Sequence, residues 1–129
     1  LVTGVQTCAL PIWPEELLLL ESERLAMPRP RQASLMAVAR YFAERSEDML
    51  ASHWRDLEPI RGIGPWTIEM IAMRGYAQPD AWPATDLGLL KSAASLGLDL
   101  STQELQNRAR DWQPWRAYAA NLLWRNLVS

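Results

Sequence analysis

The feature that most restricts the fold of this chain is a Gly-x-Gly turn set between two apolar helical segments. The run extends from Leu57 to Ile71, with Gly62 and Gly64 at its centre. Glycine allows a tight backbone path and lets another molecule approach the backbone closely. Pro65 follows directly and suits the first position of a helix. The pattern therefore predicts two short helices joined by a tight turn.

The start of the second helix in this run is a natural site for a phosphate group, because its backbone N–H groups point outward. Both glycines and both apolar flanks are present, which indicates a helix-hairpin-helix motif that holds one DNA backbone without reading its sequence. A purely structural turn between helices is the alternative. The residues predicted to contact DNA are Gly62, Ile63, Gly64, Trp66 and Thr67.

A second motif places one aspartate after a proline-containing loop. The loop covers residues 80–85, and Asp86 follows it at the start of an apolar helical segment. Taken alone, Asp86 is most simply an N-cap, because its side chain can accept hydrogen bonds from the first turn of the helix. The stretch between Gly64 and Asp86 has room for one helix and a return loop.

A third motif consists of aromatic residues on the last helical segment, at Trp115, Tyr118 and Trp124. Aromatic residues at helical spacing usually pack in a core, and we expect this of Trp115 and Tyr118. We expect Trp124 to line a pocket.

Apolar residues repeat at helical spacing along the chain from Pro14, and no alternating strand pattern occurs. This predicts an all-α fold, a compact bundle of short helices. Helices are expected over residues 14–26 and 31–45, from Ser46 to about Trp54, from Asp86 to Gly97, from a capping box at Ser101 and Glu104, and from Pro114.

Composition excludes several kinds of site. Cys8 is the only cysteine and His53 the only histidine, so zinc and iron–sulfur centres are excluded. No apolar run reaches the roughly 20 residues of a membrane span. The formal net charge is -2, so binding to DNA would depend on placed groups rather than on a positive field.

The first residues look foreign to the rest of the chain. Residues 2–12 read like the in-frame translation of a common sequencing adapter, and no charged residue precedes Glu15. We therefore expect residues 1–12 to be a non-native segment, which is kept out of reasoning about the fold. Residues 13–129 are expected to be one domain whose N-terminal part is missing.

The three motifs, in this order and spacing, resemble the bacterial 3-methyladenine DNA glycosylase II family of the helix-hairpin-helix superfamily. The shared sequences are Gly-Ile-Gly-x-Trp-Thr, Thr-Asp-Leu-Gly and Pro-Trp-Arg-x-Tyr-Ala, and the resemblance covers about residues 13–127. It implies that Asp86 is the catalytic carboxylate. It also implies that Trp66 and Trp124 are walls of the base pocket, with Met70 where some relatives have a pocket tyrosine.

The resemblance further implies a monofunctional hydrolase that excises N-methylated purines in base excision repair. Trp66 stands where bifunctional relatives carry a nucleophilic lysine, and Lys91 lies a helix away from it. The hairpin carbonyls of Glu58, Ile60 and Ile63 match positions where relatives hold a bridging metal ion. No cofactor is expected to be required, and a monovalent or divalent structural cation is expected at the hairpin.

The implied partner is double-stranded DNA with alkylated bases, bound by a monomeric bacterial cytoplasmic protein at the nucleoid. Arg61 replaces the usual hairpin proline and Ile68 a usual small residue. The first core helices and the residue that wedges into the DNA stack are expected upstream of Trp13, so we expect this chain alone to flip a base poorly. The alternatives are a non-catalytic helix-hairpin-helix module, or a glycosylase for another damaged or mismatched base.

Overall fold

A computed structural model describes residues 13–45 and 53–128 of the 129-residue chain. These residues form six α-helices and no β-strand, which confirms the all-α prediction. The helices are α1 Pro14–Leu18, α2 Arg29–Ala43, α3 Pro65–Gly75, α4 Leu87–Ser95, α5 Thr102–Ala109 and α6 Arg116–Leu127. Short 3-10 helices lie at Ser22–Arg24, Trp54–Leu57 and Arg110–Trp112. None of the described helices combines the length and apolarity needed to cross a membrane.

The described residues fall into two compact units. The first contains residues 13–45, 53 and 59–62, and the second contains residues 54–58 and 63–128. In the first unit α1 packs against α2, and Leu25, Ala39 and Tyr41 are buried. Two predicted segments, residues 1–12 and the start of the helix from Ser46, lie outside the described residues.

The first predicted helix, over residues 14–26, is wrong in its extent because α1 ends at Leu18. The chain after α1 instead forms a 3-10 turn at Ser22–Arg24, followed by extended backbone at Leu25. The Gln32 side-chain amide donates hydrogen bonds to the carbonyl oxygens of Leu25, at 3.1 Å, and Met27, at 2.9 Å. These bonds satisfy backbone acceptors of an extended segment directly before α2.

The second unit has a core to which α3, α4, α5 and α6 all contribute. Helix α4 packs directly against α6. Many of the buried residues are alanines, which allow helices to approach one another closely at native packing density. The core consists of Ala72, Met73, Ala81, Trp82, Leu89, Ala93, Leu105, Ala109, Ala117 and Ala120.

Helix boundaries in this unit follow the predicted capping signals. Asp86 is the N-cap of α4, and Gly97 follows the end of that helix with φ +82°. The predicted capping box is confirmed at the start of α5. The Glu104 amide donates to Ser101 Oγ at 3.2 Å, and the Ser101 amide donates to Glu104 Oε2 at 2.8 Å.

The predicted start of the last helix at Pro114 is wrong, because α6 begins at Arg116 with Trp115 as its N-cap. The Trp115 amide instead donates to the carbonyl oxygen of Trp112 at 2.8 Å, which closes a turn before the helix.

The expectation that Trp115 and Tyr118 pack in the core is also wrong. They are 58% and 61% exposed, and their rings pack edge-on against each other with centroids 5.8 Å apart. Helix α6 turns its small residues Ala117 and Ala120 toward the core. Tyr118 therefore lies away from the core, and Trp115 packs against Tyr118 just before the helix begins.

Candidate active site

Asp86 is the meeting point of three helices in the second unit. Its Oδ1 accepts hydrogen bonds from the Leu89 amide of α4 and from the Trp124 indole of α6, both at 3.0 Å. Its Oδ2 accepts from the Trp66 indole of α3 at 2.7 Å. The carboxylate is thus an N-cap, as expected from sequence, and is also held by two indole N–H groups from distant parts of the chain.

These contacts shift the pKa of Asp86. Partial burial raises the pKa of the carboxyl, but hydrogen bonds from Trp124, Trp66 and the amides of Leu89 and Gly88 outweigh it. The net effect is a pKa below the usual value for an aspartate. Donors that favour the anion make it a weaker base, so this carboxylate is suited to remaining negatively charged.

The two tryptophans differ in how much of the ring is open. Trp66 lies in the first turn of α3 and is 43% exposed, whereas Trp124 lies in α6 and is less exposed. Each indole N–H is directed at Asp86. Trp66 can therefore hold the carboxylate with its N–H group while part of its ring stays accessible to another molecule.

Gly88 is a site residue that sequence analysis did not identify. It lies in the first turn of α4, where a Cβ atom would sit 2.8 Å from Asp86 Oδ1 and 3.3 Å from the Trp124 ring. Contacts below 3.0 Å require something to move. The lack of a side chain at position 88 thus leaves the space in which Trp124 reaches Asp86.

Polar contacts between α4 and α6 hold Trp124 in register with Asp86. The buried Ser92 hydroxyl donates to the carbonyl oxygen of Leu123 at 2.6 Å. The Asn126 side-chain amide donates to Ser95 Oγ at 2.8 Å. These bonds lie on both sides of Trp124 in the sequence, so the position of its indole is fixed by the helix pair.

An ion pair anchors the loop that leads to Asp86. Arg116 donates from Nε to Asp80 Oδ1 and from a terminal guanidinium nitrogen to Asp80 Oδ2, both at 2.7 Å. The Arg116 hydrogen bond lowers the pKa of Asp80, and the same bond raises the pKa of Arg116. Glu69 Oε2 holds the next part of the loop by accepting from the Trp82 amide at 2.9 Å.

The glycines of the predicted hairpin have different conformations. Gly62 belongs to the first unit and has φ +94°, a left-handed conformation that favours glycine. Gly64 belongs to the second unit and is the N-cap of α3 with an extended backbone. No side chain caps α3, and a Cβ atom at Gly64 would meet nothing within 4 Å. The space beside Gly64 is therefore open, and the first-turn amides of α3 follow it directly.

Two further residues considered in the sequence analysis, Met70 and Lys91, lie on the helices that carry Trp66 and follow Asp86. Met70 is half-buried on α3, one turn after Trp66, and Lys91 is exposed on α4. The pocket role of Met70 stays a prediction. The carbonyls of Glu58, Ile60 and Ile63 belong to the loop before α3, and a cation there also stays a prediction.

Comparison with known proteins gives relatives over most of the chain. It is 40% identical over 118 residues, 88% of its length, to the probable bifunctional transcriptional activator/DNA repair enzyme AlkA of Mycobacterium tuberculosis. It is 31% identical over 103 residues to a DNA-3-methyladenine glycosylase of Bacillus subtilis, covering 72% of this chain. It is 28% identical over 105 residues to DNA-3-methyladenine glycosylase 2 of Escherichia coli, covering 78%.

The chain spans only part of these proteins, 24% of the mycobacterial relative, 34% of the Bacillus relative and 36% of the Escherichia relative. No protein-family model matches it. No solved structure matches it.

Proposed function

Since the chain belongs by sequence to the 3-methyladenine DNA glycosylase family, we propose that it excises N-alkylated purines from duplex DNA as a monofunctional hydrolase. The observation that carries this proposal is Asp86, a carboxylate whose pKa is lowered by hydrogen bonds from two indoles and a helix start. A carboxylate that is ionised and fixed in position can stabilise a positive charge that develops beside it.

The proposed reaction breaks the bond between the base and C1′ of deoxyribose. The alkylated purine carries a positive charge and leaves with the bonding electron pair as a neutral base. Positive charge then develops on the sugar, and the Asp86 carboxylate stabilises it across a short distance. Water adds to C1′ and releases one proton to solvent, which yields an abasic site.

The hydrogen bonds to Asp86 favour an electrostatic role over a basic one. Because donors from Trp66, Trp124 and the Leu89 amide lower its pKa, the carboxylate holds a proton weakly. It therefore remains an anion at neutral pH and supplies fixed negative charge throughout the reaction. Its orientation is set before substrate binds, so little reorganisation is needed in the transition state.

Trp66 and Trp124 supply the surface on which the extruded base would stack. A target base inside a duplex must first be rotated out of the helix. A cationic purine over an indole ring gains about 0.5–2 kcal/mol per contact from the interaction of its charge with the ring. Such a site distinguishes alkylated from normal purines by charge, and it accepts several alkylated bases.

The start of α3 is proposed to hold the DNA backbone. Its uncapped first-turn amides, including those of Trp66 and Thr67, would donate to a phosphate. The open space at Gly64 supports this because a phosphate group needs room to approach the amides closely. Contacts of this kind fix the position of the DNA without reading its sequence.

The loop before α3 is proposed to hold a structural cation through the carbonyl oxygens of Glu58, Ile60 and Ile63. Carbonyl oxygen suits hard cations. The ion would neutralise charge beside a bound phosphate and take no part in bond breaking.

The proposal is tested with the protein expressed from its complete reading frame and incubated with methylated duplex DNA. Free methylated purines released into solution are identified by mass spectrometry, with uracil-containing and 8-oxoguanine-containing duplexes as controls. We expect release of 3-methyladenine and related bases without strand cleavage. Strand cleavage would contradict the monofunctional assignment, and binding without release of any base would favour a non-catalytic DNA-binding module.

A further inference from the structure

A cleft in the first unit brings together two arginines that the proposed mechanism leaves unused. The cleft has a volume of about 330 Å³, and its lining includes Arg29 at the start of α2, Pro30, Ile60 and Arg61. Both arginines are exposed. Among the described residues neither arginine forms an ion pair or a side-chain hydrogen bond. Both arginines therefore border the same cleft, and no acidic residue is among the residues that line it.

The position of Arg61 is fixed by a contact from α2. The Ser34 hydroxyl donates a hydrogen bond to the carbonyl oxygen of Arg61. Gly62 follows with its positive φ, and a Cβ atom there would collide with Ser34 Oγ. The close approach of the loop to α2 thus depends on a glycine at position 62. Arg61 is held on the same helix that carries Arg29, so less of its backbone freedom is lost when it binds an anion.

The location of Arg29 is unfavourable for the isolated protein. It occupies the first position of α2, and the first turn of this helix contains no acidic residue. A positive charge near the start of a helix is opposed by the helix dipole. An external anion beside Arg29 would offset this repulsion.

We propose that Arg29 and Arg61 form a phosphate-binding point for the DNA backbone, additional to the amides at the start of α3. This inference rests on the proposed function, which supplies a polyanion as the partner. Guanidinium groups match phosphate oxygens through paired N–H donors, and they keep their charge at any physiological pH. The chain has a net charge of -2, so placed arginines of this kind have to supply attraction that a general positive field does not.

The test measures binding of a fluorescent duplex of about 20 base pairs by anisotropy over a range of KCl concentrations. The variants are Arg29→Gln, Arg61→Gln and the double variant. Log affinity falls as log salt rises, and each lost phosphate contact should make this slope shallower by about 1. We therefore expect a reduction of about 1 for each single variant and about 2 for the double variant.

Arg108→Gln is the matched control, because Arg108 is an exposed arginine on α5 that does not line the cleft. It should leave the slope unchanged, and thermal melts should show that all variants fold. If Arg29→Gln and Arg61→Gln bind with the wild-type slope, the inference is wrong and the proposed function stands. If the wild-type protein itself binds duplex without salt dependence, the DNA-binding part of the proposed function fails as well.

Discussion

Replacement of Gly88 by alanine tests whether the contact between Trp124 and Asp86 matters for the reaction. The new Cβ atom would lie 2.8 Å from Asp86 Oδ1 and 3.3 Å from two atoms of the Trp124 ring. Neither partner is the free end of a flexible chain, because Oδ1 also accepts from the Leu89 amide and Trp124 is held by α6. We expect the indole to shift and its hydrogen bond to Asp86 to lengthen or break.

The size of the effect follows from what is displaced. A hydrogen bond to a charged group contributes about 1.5–3 kcal/mol. A displaced catalytic group can lower a rate by about 100-fold, and each tenfold change corresponds to about 1.4 kcal/mol. We therefore expect the single-turnover rate of base release to fall about 10- to 100-fold. The pKa of Asp86 should rise, because the variant weakens a bond that lowers it.

Gly75→Ala is the control substitution, since a Cβ atom at Gly75 meets only Ile71 Cγ2, at an ordinary 3.9 Å. Alanine in a helix is normally about 0.5–1 kcal/mol more favourable than glycine. Because its Cβ atom meets no close neighbour, Gly75→Ala should leave activity unchanged. Gly88→Ala should not show the gain in folding stability that helix propensity alone would give, because its Cβ atom meets Asp86 and Trp124. The Trp124 indole N–H signal, assigned with Trp124→Phe, reports the contact by NMR. Unchanged signal and unchanged activity in Gly88→Ala would refute the argument.

Three further predictions concern the hairpin, the second indole and pH. Gly64→Asp should abolish duplex binding, since it adds bulk and negative charge where open space and first-turn amides coincide, and an anisotropy titration checks this. Trp66→Phe retains a ring but removes the donor to Asp86 Oδ2, so the pKa of Asp86 followed by NMR should rise. Asp80 has a lowered pKa in the folded state because of Arg116, so its stabilising effect is present above the usual aspartate pKa and is lost as pH falls through the lowered value. Asp80→Asn should therefore flatten the fall in melting temperature below about pH 5, and an equally steep fall would contradict this.

Local signals made several parts of this fold predictable. Proline and glycine at the start of α3, an aspartate before α4 and the Ser101 capping box all act through neighbours in the sequence. The same kind of reasoning failed for the extent of α1, which is followed by a 3-10 turn and then by backbone that is hydrogen-bonded to Gln32 of α2. Helix boundaries are predictable from sequence when the partner atoms lie within a few residues.

The candidate site was predictable in its residues but not in its contacts. Family resemblance identified Asp86, Trp66 and Trp124 as site residues. The hydrogen bonds that join them connect residues 20 and 38 positions apart, so no local sequence pattern predicts these bonds. Gly88 was missed for the same reason, because its importance depends on the path of α6 past α4. An unexplained glycine in the first turn of a helix was the available signal.

The central claim is that Asp86 acts through its negative charge rather than only as a helix cap. Asparagine is nearly as good an N-cap as aspartate, so Asp86→Asn should retain the start of α4 and the fold. The decisive measurement is the single-turnover rate at which Asp86→Asn, expressed from the complete reading frame, releases methylated purines from alkylated duplex. We predict a loss of at least about 100-fold with duplex affinity unchanged, because the amide cannot stabilise charge on the sugar. A rate close to that of the wild type would show that Asp86 is structural and that the catalytic assignment is wrong.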